Sequence, residues 1–478
     1  MGAGFGGVGM GIRLRQEGID DFEIFERGET VGGVWRANTY PGAACDVPSH
    51  LYSFSFAPGH NWSRRYAPQP EILEYMEEIT DRFGMRSHLR LGTEVTAAAF
   101  DEAAAKWTVT LDGGETRDFD VLVTACGQLT RPQVPTVEGI DDFRGSVFHS
   151  AEWDHTRDLA GRKVAVIGTG ASAIQFVPEV AEQAAELTIY QRSAPWILPK
   201  TDRAYPEWER RIFERFPARV AAARAGFFAF FEAGTYGFTG ARWVLSPLRK
   251  AANAYRESEL GDHPELLARA TPDYEMGCKR VLLASDWYST LRRENVELLN
   301  GAVQRATPDG VVGADGKERA ADTIIWGTGF DASRFVSPMD VHGLNGRSLQ
   351  ESWGDSPEAF LGTTVAGFPN MFLLYGPNTN HGSGSVPYTL ECQFNYVIDA
   401  ARRMQSEGIR WIDLKPEVQE RWRAEIDERS VDTVWTTGGC TSWYTNAEGR
   451  NTNNWVGPWL EYRRRTRQIN PGHYRAAV

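Results

Sequence analysis

Gly2-Ala3-Gly4-Phe5-Gly6-Gly7 opens the chain, and far downstream Gly168-Thr169-Gly170-Ala171-Ser172-Ala173 repeats the pattern. A turn of this kind between a strand and a helix lets a pyrophosphate approach the backbone closely, at the positive end of the helix dipole. One such turn is weak evidence, because any glycine-rich strand-to-helix turn imitates it. Two in one chain imply two bound dinucleotides, the arrangement of a flavoprotein fed by a nicotinamide. The residues expected to hold them are Gly2, Gly4 and Gly7 in the first turn and Gly168, Gly170 and Ser172 in the second.

What surrounds each turn differs. After the first, a helix is expected through Gly9 to Glu17 and a strand over Phe22 to Phe25. That strand leads to Glu26, about 20 residues past the glycines, where an acidic side chain holds a ribose hydroxyl. The strand that should precede the turn is missing, since Met1 directly abuts Gly2. A dinucleotide fold needs a buried strand there. The expectation is therefore a strand encoded upstream and weak flavin retention without it; the alternative is a chain truly this short. The second turn is better framed. Lys163 to Ile167 reads as a buried strand feeding it, and Leu187 to Gln191 as the next, closed by Arg192. An NAD site would carry a carboxylate at that strand end, whereas a cation accepts the 2′-phosphate of NADP. NADPH is thus the expected donor, with a solvated arginine as the plainer reading.

The α/β pattern divides the chain into two dinucleotide-binding domains, one inserted into the other. Residues 1–132 read as the first part of an FAD domain, ending in the buried strand Phe119 to Gly127 and a linker at Pro132 and Pro135. Residues 133–330 read as an NADP domain, interrupted over about 202–272 by a helical, Arg- and Phe-rich insertion and closed by the strand Thr323 to Trp326. Residues 331–478 return to the FAD domain and add a C-terminal loop. A chain of 478 residues is too long for one compact core, which agrees with this division.

A net charge of -12 argues against a nucleic-acid partner and against an anionic membrane surface. The one apolar-looking stretch, Val220 to Leu245, is interrupted by Arg224, Glu232 and Arg242; it falls short of a membrane span and reads as a helix covering a pocket. Cys45, Cys126, Cys278, Cys392 and Cys440 form no C-x-x-C pair and no metal-ligand cluster. Their odd, scattered count reads as reduced thiols of a cytoplasmic protein and counts against a disulfide reductase. No signal peptide and no metal site are read, and nothing specifies an oligomeric state.

Two further strings are more specific. Phe143, Gly145, His149, Trp153 and Asp154 fit F-x-G-x-x-x-H-x-x-x-W-[P/D]; Gly32-Gly33-Val34-Trp35, Tyr40-Pro41-Gly42 and Asp46 fit G-G-x-W-x-x-x-x-[F/Y]-P-G-x-x-x-D. Both resemble the signatures of type I Baeyer–Villiger monooxygenases, and with the two nucleotide turns the resemblance covers nearly the whole chain. The Trp-Asp ending favours this branch over the sister flavin-containing monooxygenases, which usually carry Tyr or Phe at the Trp153 position.

The resemblance implies FAD and NADPH as cofactors and a ketone and dioxygen as substrates. It implies a C4a-peroxyflavin whose anion attacks the ketone carbonyl to yield an ester or lactone. Gly277-Cys278-Lys279-Arg280 resembles the family segment that supplies a fixed guanidinium for that anion, which assigns Arg280 to it and Lys279 to the NADP phosphate. Alone, a Lys-Arg pair reads as surface charge. Asp46 would hold Arg280 beside the flavin, with a turn aspartate as its alternative. Gly33 and Trp35 belong to the flavin side. His149 resembles the motif histidine that serves domain movement rather than proton transfer. Trp443 resembles a loop tryptophan closing over NADP and substrate, with core packing as its rival. Asn378 and Thr379 are expected beside the flavin ring. Two other functions stay open here: oxidation of sulfides or amines with the same cofactors, and a flavin-deficient, non-catalytic remnant. The ketone is left open among cyclic, aromatic, linear and steroid classes.

Overall fold

The computed structural model describes residues 1–59 and 61–478. A five-stranded parallel sheet forms one half, in the order Val296–Asn300, Glu186–Gln191, Lys163–Ile167, Thr323–Trp326, Ser146–His149. Its central strand buries Val164, Ala165 and Val166, so both faces are covered, as a parallel sheet requires. The glycine turn leads from it to the helix Ala173–Ala181, whose Val177 shares a core with Trp287 and Leu291. Gly168 has φ +108, and a Cβ there would overlap the Gly327 carbonyl oxygen. Only glycine lets the two strand ends cross so closely.

The other half is built from shorter ladders. Ile24–Phe25 pairs in parallel with Leu89–Arg90, and Leu122–Thr124 with Met371–Leu373. Met1 and Gly2 lie between these pairs: the Gly2 N–H donates to the Phe25 carbonyl (2.7 Å) and the Ala125 N–H to the Met1 carbonyl (2.8 Å). A four-stranded sheet, Asp340–His342, Val95–Asp101, Lys106–Leu111 and Thr116–Phe119, packs beside them. The expected strand Phe22 to Phe25 shortens to two residues, and Phe119 to Gly127 resolves into the last residue of one strand and the whole of a short second one, Leu122–Thr124.

The first helix is Phe5–Gln16, starting inside the glycine run rather than at Gly9. A Cβ on Gly7 would overlap the Gly2 carbonyl, and one on Gly9 would meet Phe54 and Phe394. The glycines therefore let this helix lie against Val386–Glu407 at close range, against a propensity cost of about 1 kcal/mol each. Local propensity points to a later start; tertiary packing overrides it.

Four helices, Glu207–Arg215, Pro217–Phe238, Ser246–Leu260 and Pro264–Arg269, lie between the short strands Ile197–Leu198 and Leu282–Leu283. Two charges of the long one, Arg224 and Glu232, turn inward. Arg224 Nη1 donates to the carbonyls of His50 (2.6 Å) and Ser53 (2.9 Å), and Glu232 accepts from the Trp459 (2.8 Å) and Leu460 (3.2 Å) N–H groups at the start of helix Trp459–Arg465. Among the described residues no helix is long and apolar enough to cross a membrane.

The expectation of five reduced thiols is corrected. Cys278 and Cys440 form a disulfide with Cα atoms 6.1 Å apart, while Cys45, Cys126 and Cys392 are free. A pair separated by 162 positions leaves no spacing signal, so the sequence could not announce it. Cross-linking so long a loop removes chain entropy from the unfolded state and is worth about 2–4 kcal/mol. Cys440→Ser should lower stability by about that much, and a dithiol reductant should do the same to the unaltered protein. Thermal melts with and without reductant check this; coincident curves would mean the thiols are not joined.

Candidate active site

Both glycine turns open into one cleft of about 1310 Å³. Gly2, Gly4, Glu26, Gly33, Trp35 and Asp46 line it from one half, and Gly168, Gly170, Ser172, Arg192, Lys279 and Arg280 from the other. Trp443 reaches it from the C-terminal loop. Gly7 stands behind the first turn, where it admits the Gly2 carbonyl.

Glu26 is buried and fully oriented. Its Oε2 accepts from the Ala3 N–H (2.8 Å), its Oε1 from the Gly28 N–H (2.8 Å), and Arg36 pairs with it at 3.1 Å. The Trp35 indole N–H donates to the Tyr52 hydroxyl (3.1 Å), which fixes the ring beside the cleft.

Arg192 is exposed, and among the described residues it makes no hydrogen bond or ion pair. Lys279 Nζ donates to Ser193 Oγ at 2.5 Å. Burial, reinforced by the Arg192 charge, pushes the Lys279 pKa below its ordinary value. Neither cation is paired with a carboxylate, so an anion is the partner this end of the cleft lacks.

The centre is an ion pair. Arg280 Nε donates to Asp46 Oδ2 (2.9 Å) and its Nη2 to Oδ1 (2.8 Å), a two-pronged contact between residues 234 positions apart. The Asp46 charge raises the Arg280 pKa against the opposing effect of burial. About a third of the Arg280 side chain stays accessible (32%), and Nη1 has no partner among the described residues. One edge of the fork is thus spent on orientation and the other is left for a ligand. The Asp46 loop is held in turn by Gln175, whose amide bonds the Ala44 carbonyl (3.0 Å) and the Tyr40 hydroxyl (3.0 Å).

The geometry suits two dinucleotides: backbone cradles that a Cβ would fill, a carboxylate oriented at the first, and two cations at the second. The comparisons agree. The flavin-binding monooxygenase-like family matches residues 1–224. A Baeyer-Villiger monooxygenase of Pseudomonas aeruginosa is 44% identical over 475 residues, spanning 99% of this chain and 90% of that protein. The chain belongs to the Baeyer–Villiger monooxygenases. A second relative of that name, from Streptomyces coelicolor, is also 44% identical over 99% of this chain and 91% of its own length. Among solved structures, OTEMO in complex with FAD and NADP superposes with a TM-score of 0.89 at 28% identity, over 100% of this chain and 98% of that one.

The family's first signature string borders the cleft rather than facing it. Phe143 is buried in a separate core, and Gly145 packs on the Asp322 carbonyl. His149 ends the edge strand, buried, with Nδ1 accepting from the Ala151 N–H (3.1 Å) and its ring edge-on to Phe330. Burial lowers its pKa. Trp153 packs against Phe148 and Phe176, and Asp154 accepts from the Thr156 N–H (3.0 Å). Only Ala151 and Glu152, between them, line the cleft.

Other residues fall elsewhere than expected. Asn378 and Thr379 do not line the cleft: Asn378 Nδ2 donates to the Asn451 carbonyl (3.0 Å), and Thr379 Oγ1 to the Gly376 carbonyl (2.7 Å). Their segment meets the cleft through Tyr375, Asn380 and His381 instead. None of residues 202–272 lines it, so the long helix does not cover this cavity. Trp443 keeps 37% of its surface exposed, which removes core packing as its reading. Among the described residues no His, Cys, Asp or Glu group has metal-holding geometry. Sequence reasoning also passed over Gln128 and His381, polar residues beside glycine-rich turns whose only advance signal was their company.

His381 packs its ring 4.3 Å from that of Trp459, and neither ring nitrogen has a partner among the described residues. Burial pushes its pKa from 6.5 down to about 3. It is neutral when folded and protonated when unfolded, so the unfolded chain binds the extra proton and stability falls as pH drops below about 6.5. The loss is at most about 1.4 kcal/mol per pH unit, continuing toward pH 3. His381→Phe should flatten the stability curve between pH 6.5 and 4, read by denaturant titration; parallel curves would remove this contribution.

Proposed function

We propose that this chain oxidises a ketone to an ester or lactone, consuming dioxygen and NADPH and releasing NADP and water. The observation that carries the reading is the Arg280–Asp46 pair, set in one cleft between the two glycine turns with a free guanidinium edge. In this reading, residues 1–132 and 331–478 hold FAD, and residues 133–330, apart from the inserted helices of about 202–272, hold NADP. FAD, reduced by NADPH, supplies the activation of dioxygen.

The protein's part is binding and electrostatics. Glu26, oriented by two N–H donors, takes a ribose hydroxyl of FAD, while Gly2 and Gly4 admit its pyrophosphate and Gly7 lets the turn close by making room for the Gly2 carbonyl. Gly168, Gly170 and Ser172 do the same for NADP, and Arg192 and Lys279 take its 2′-phosphate. Arg280 stays charged at any working pH and stabilises negative charge as it gathers on oxygen beside the ketone. Asp46 fixes the plane of the fork without discharging it. Trp443 closes the cleft over NADP and substrate, and His149 serves the movement of the NADP-binding part.

Incubation with NADPH and a panel of cyclic, aromatic, linear and steroid ketones, with product identification, tests the reading. Esters are expected; sulfoxide from an added thioether with no ester from any ketone would overturn it. Arg280→Ala should still bind FAD and accept electrons from NADPH, yet lose ester formation, and Arg280→Lys should recover little, because a point charge cannot reproduce the fork. Arg192→Ala should cut kcat/KM for NADPH relative to NADH by about one to two decades, the worth of a charge-assisted contact. An unchanged ratio would make Arg192 a surface residue.

A further inference from the structure

Two chain segments connect the halves of the molecule, and they run side by side. Pro132 and Phe330 form an antiparallel bridge, the Gln133 N–H donates to the Gly329 carbonyl (2.9 Å), and the Asp331 N–H to the Arg131 carbonyl (3.0 Å). Any movement of one half against the other must pass through this ribbon. A buried amide chain leads from it to the loop of Trp443. Gln128 Nε2 donates to the Ala332 carbonyl (3.3 Å) on the returning segment and to Asn453 Oδ1. Asn453 Nδ2 then donates to the Trp443 carbonyl (2.6 Å), which has no other hydrogen bond among the described residues.

Asn453 itself is anchored. Its carbonyl accepts from the Asn380 N–H (3.0 Å) and its N–H donates to Asn451 Oδ1 (3.3 Å), so its backbone belongs to the flavin-side framework while its side chain reaches both movable partners. Asn453 is 1% exposed and Gln128 6%. Asn453 accepts through Oδ1 from Gln128 and donates through Nδ2 to Trp443, so the two bonds polarise one another and fix the orientation of its amide. Asn453 Nδ2 also reaches Thr452 Oγ1 (3.3 Å), and separating Gln128, Asn453 and Trp443 would give up two buried hydrogen bonds, which favours their shifting together.

We propose that Asn453 is a positioning residue that couples the Trp443 loop to the connecting ribbon, so that movement between the halves sets closure of the loop over the cleft. This rests on the reading of Trp443 as the closing residue. Asn453 touches neither cofactor nor substrate; it acts through the carbonyl of Trp443 and the amide of Gln128. Asn453→Asp keeps the shape, removes the donor and sets a carboxylate against the Trp443 carbonyl.

The test uses the FAD-loaded enzyme with NADPH and the best ketone of the panel. Asn453→Asp should raise KM for NADPH about tenfold, the worth of one buried hydrogen bond, with kcat falling less. The fraction of NADPH oxidation that ends as hydrogen peroxide instead of ester should rise, while flavin content stays near that of the unaltered enzyme even as the buried carboxylate lowers the melting temperature. A purely structural role would lower flavin content and leave the peroxide fraction unmoved, which would overturn the proposal. Gln128→Ala and Asn453→Ala, alone and together, provide a second route: breaking one chain twice should be no worse than breaking it once, whereas additive effects would overturn the coupling. Trp443→Ala separates the two readings. Unchanged KM and peroxide fraction in that variant would sink the closing role of Trp443; a change there with none in Asn453→Asp would sink the proposal alone.

Discussion

Arg280 and Asp46 come from opposite halves of the molecule, and their contact decides what the cleft between them can do. A guanidinium set beside apolar cofactor-binding walls without a counter-charge would cost several kcal/mol. The carboxylate offsets that cost through Nε and Nη2, and leaves Nη1 for the ligand. The pair holds only if each side is fixed. On one side Gln175, on the helix that follows the second glycine turn, grips the loop carrying Asp46. On the other, the Leu282 N–H donates to the Trp196 carbonyl (2.9 Å) and the disulfide at Cys278 anchors the residues just before Arg280. The same helix that starts at the second glycine turn therefore positions a residue of the opposite half. The glycine turn and the charge pair share one scaffold.

Much of this was legible in the sequence where the signal is local. Lys163–Ile167 and Thr323–Trp326 appear at the expected bounds, because continuous apolar runs of β-branched residues in a covered parallel sheet have few other readings. The glycine turns, Glu26, Arg192 and the Lys279-Arg280 segment, each singled out in the sequence, line one cleft. The helix at Phe5–Gln16 was misread at its start because glycine lowers propensity while opening room for a neighbouring helix, and only the second effect is tertiary.

What stayed hidden shares a cause. The disulfide joins positions 162 apart, and the amide chain through Gln128, Asn453 and Trp443 joins three irregular segments. Irregular segments have no period to read, and asparagine in a loop is most often a turn residue. Asn378 illustrates this. It sits beside the glycine-proline step expected near the flavin, yet turns away to secure the 451–454 loop. Proximity in sequence brought the flanking residues Tyr375, Asn380 and His381 to the cleft but not Asn378 or Thr379.

The Cys278–Cys440 link also bears on how such enzymes could be recombined. Block exchange between relatives treats the middle of the chain and its C-terminal loop as separable parts. Here a covalent bond crosses that boundary, one end just before Arg280 and the other three residues before Trp443. A hybrid that imports either part from a parent lacking its cysteine leaves an unpaired thiol beside the cleft and an unanchored loop. The crossover points open to this scaffold are those that carry both cysteines or neither.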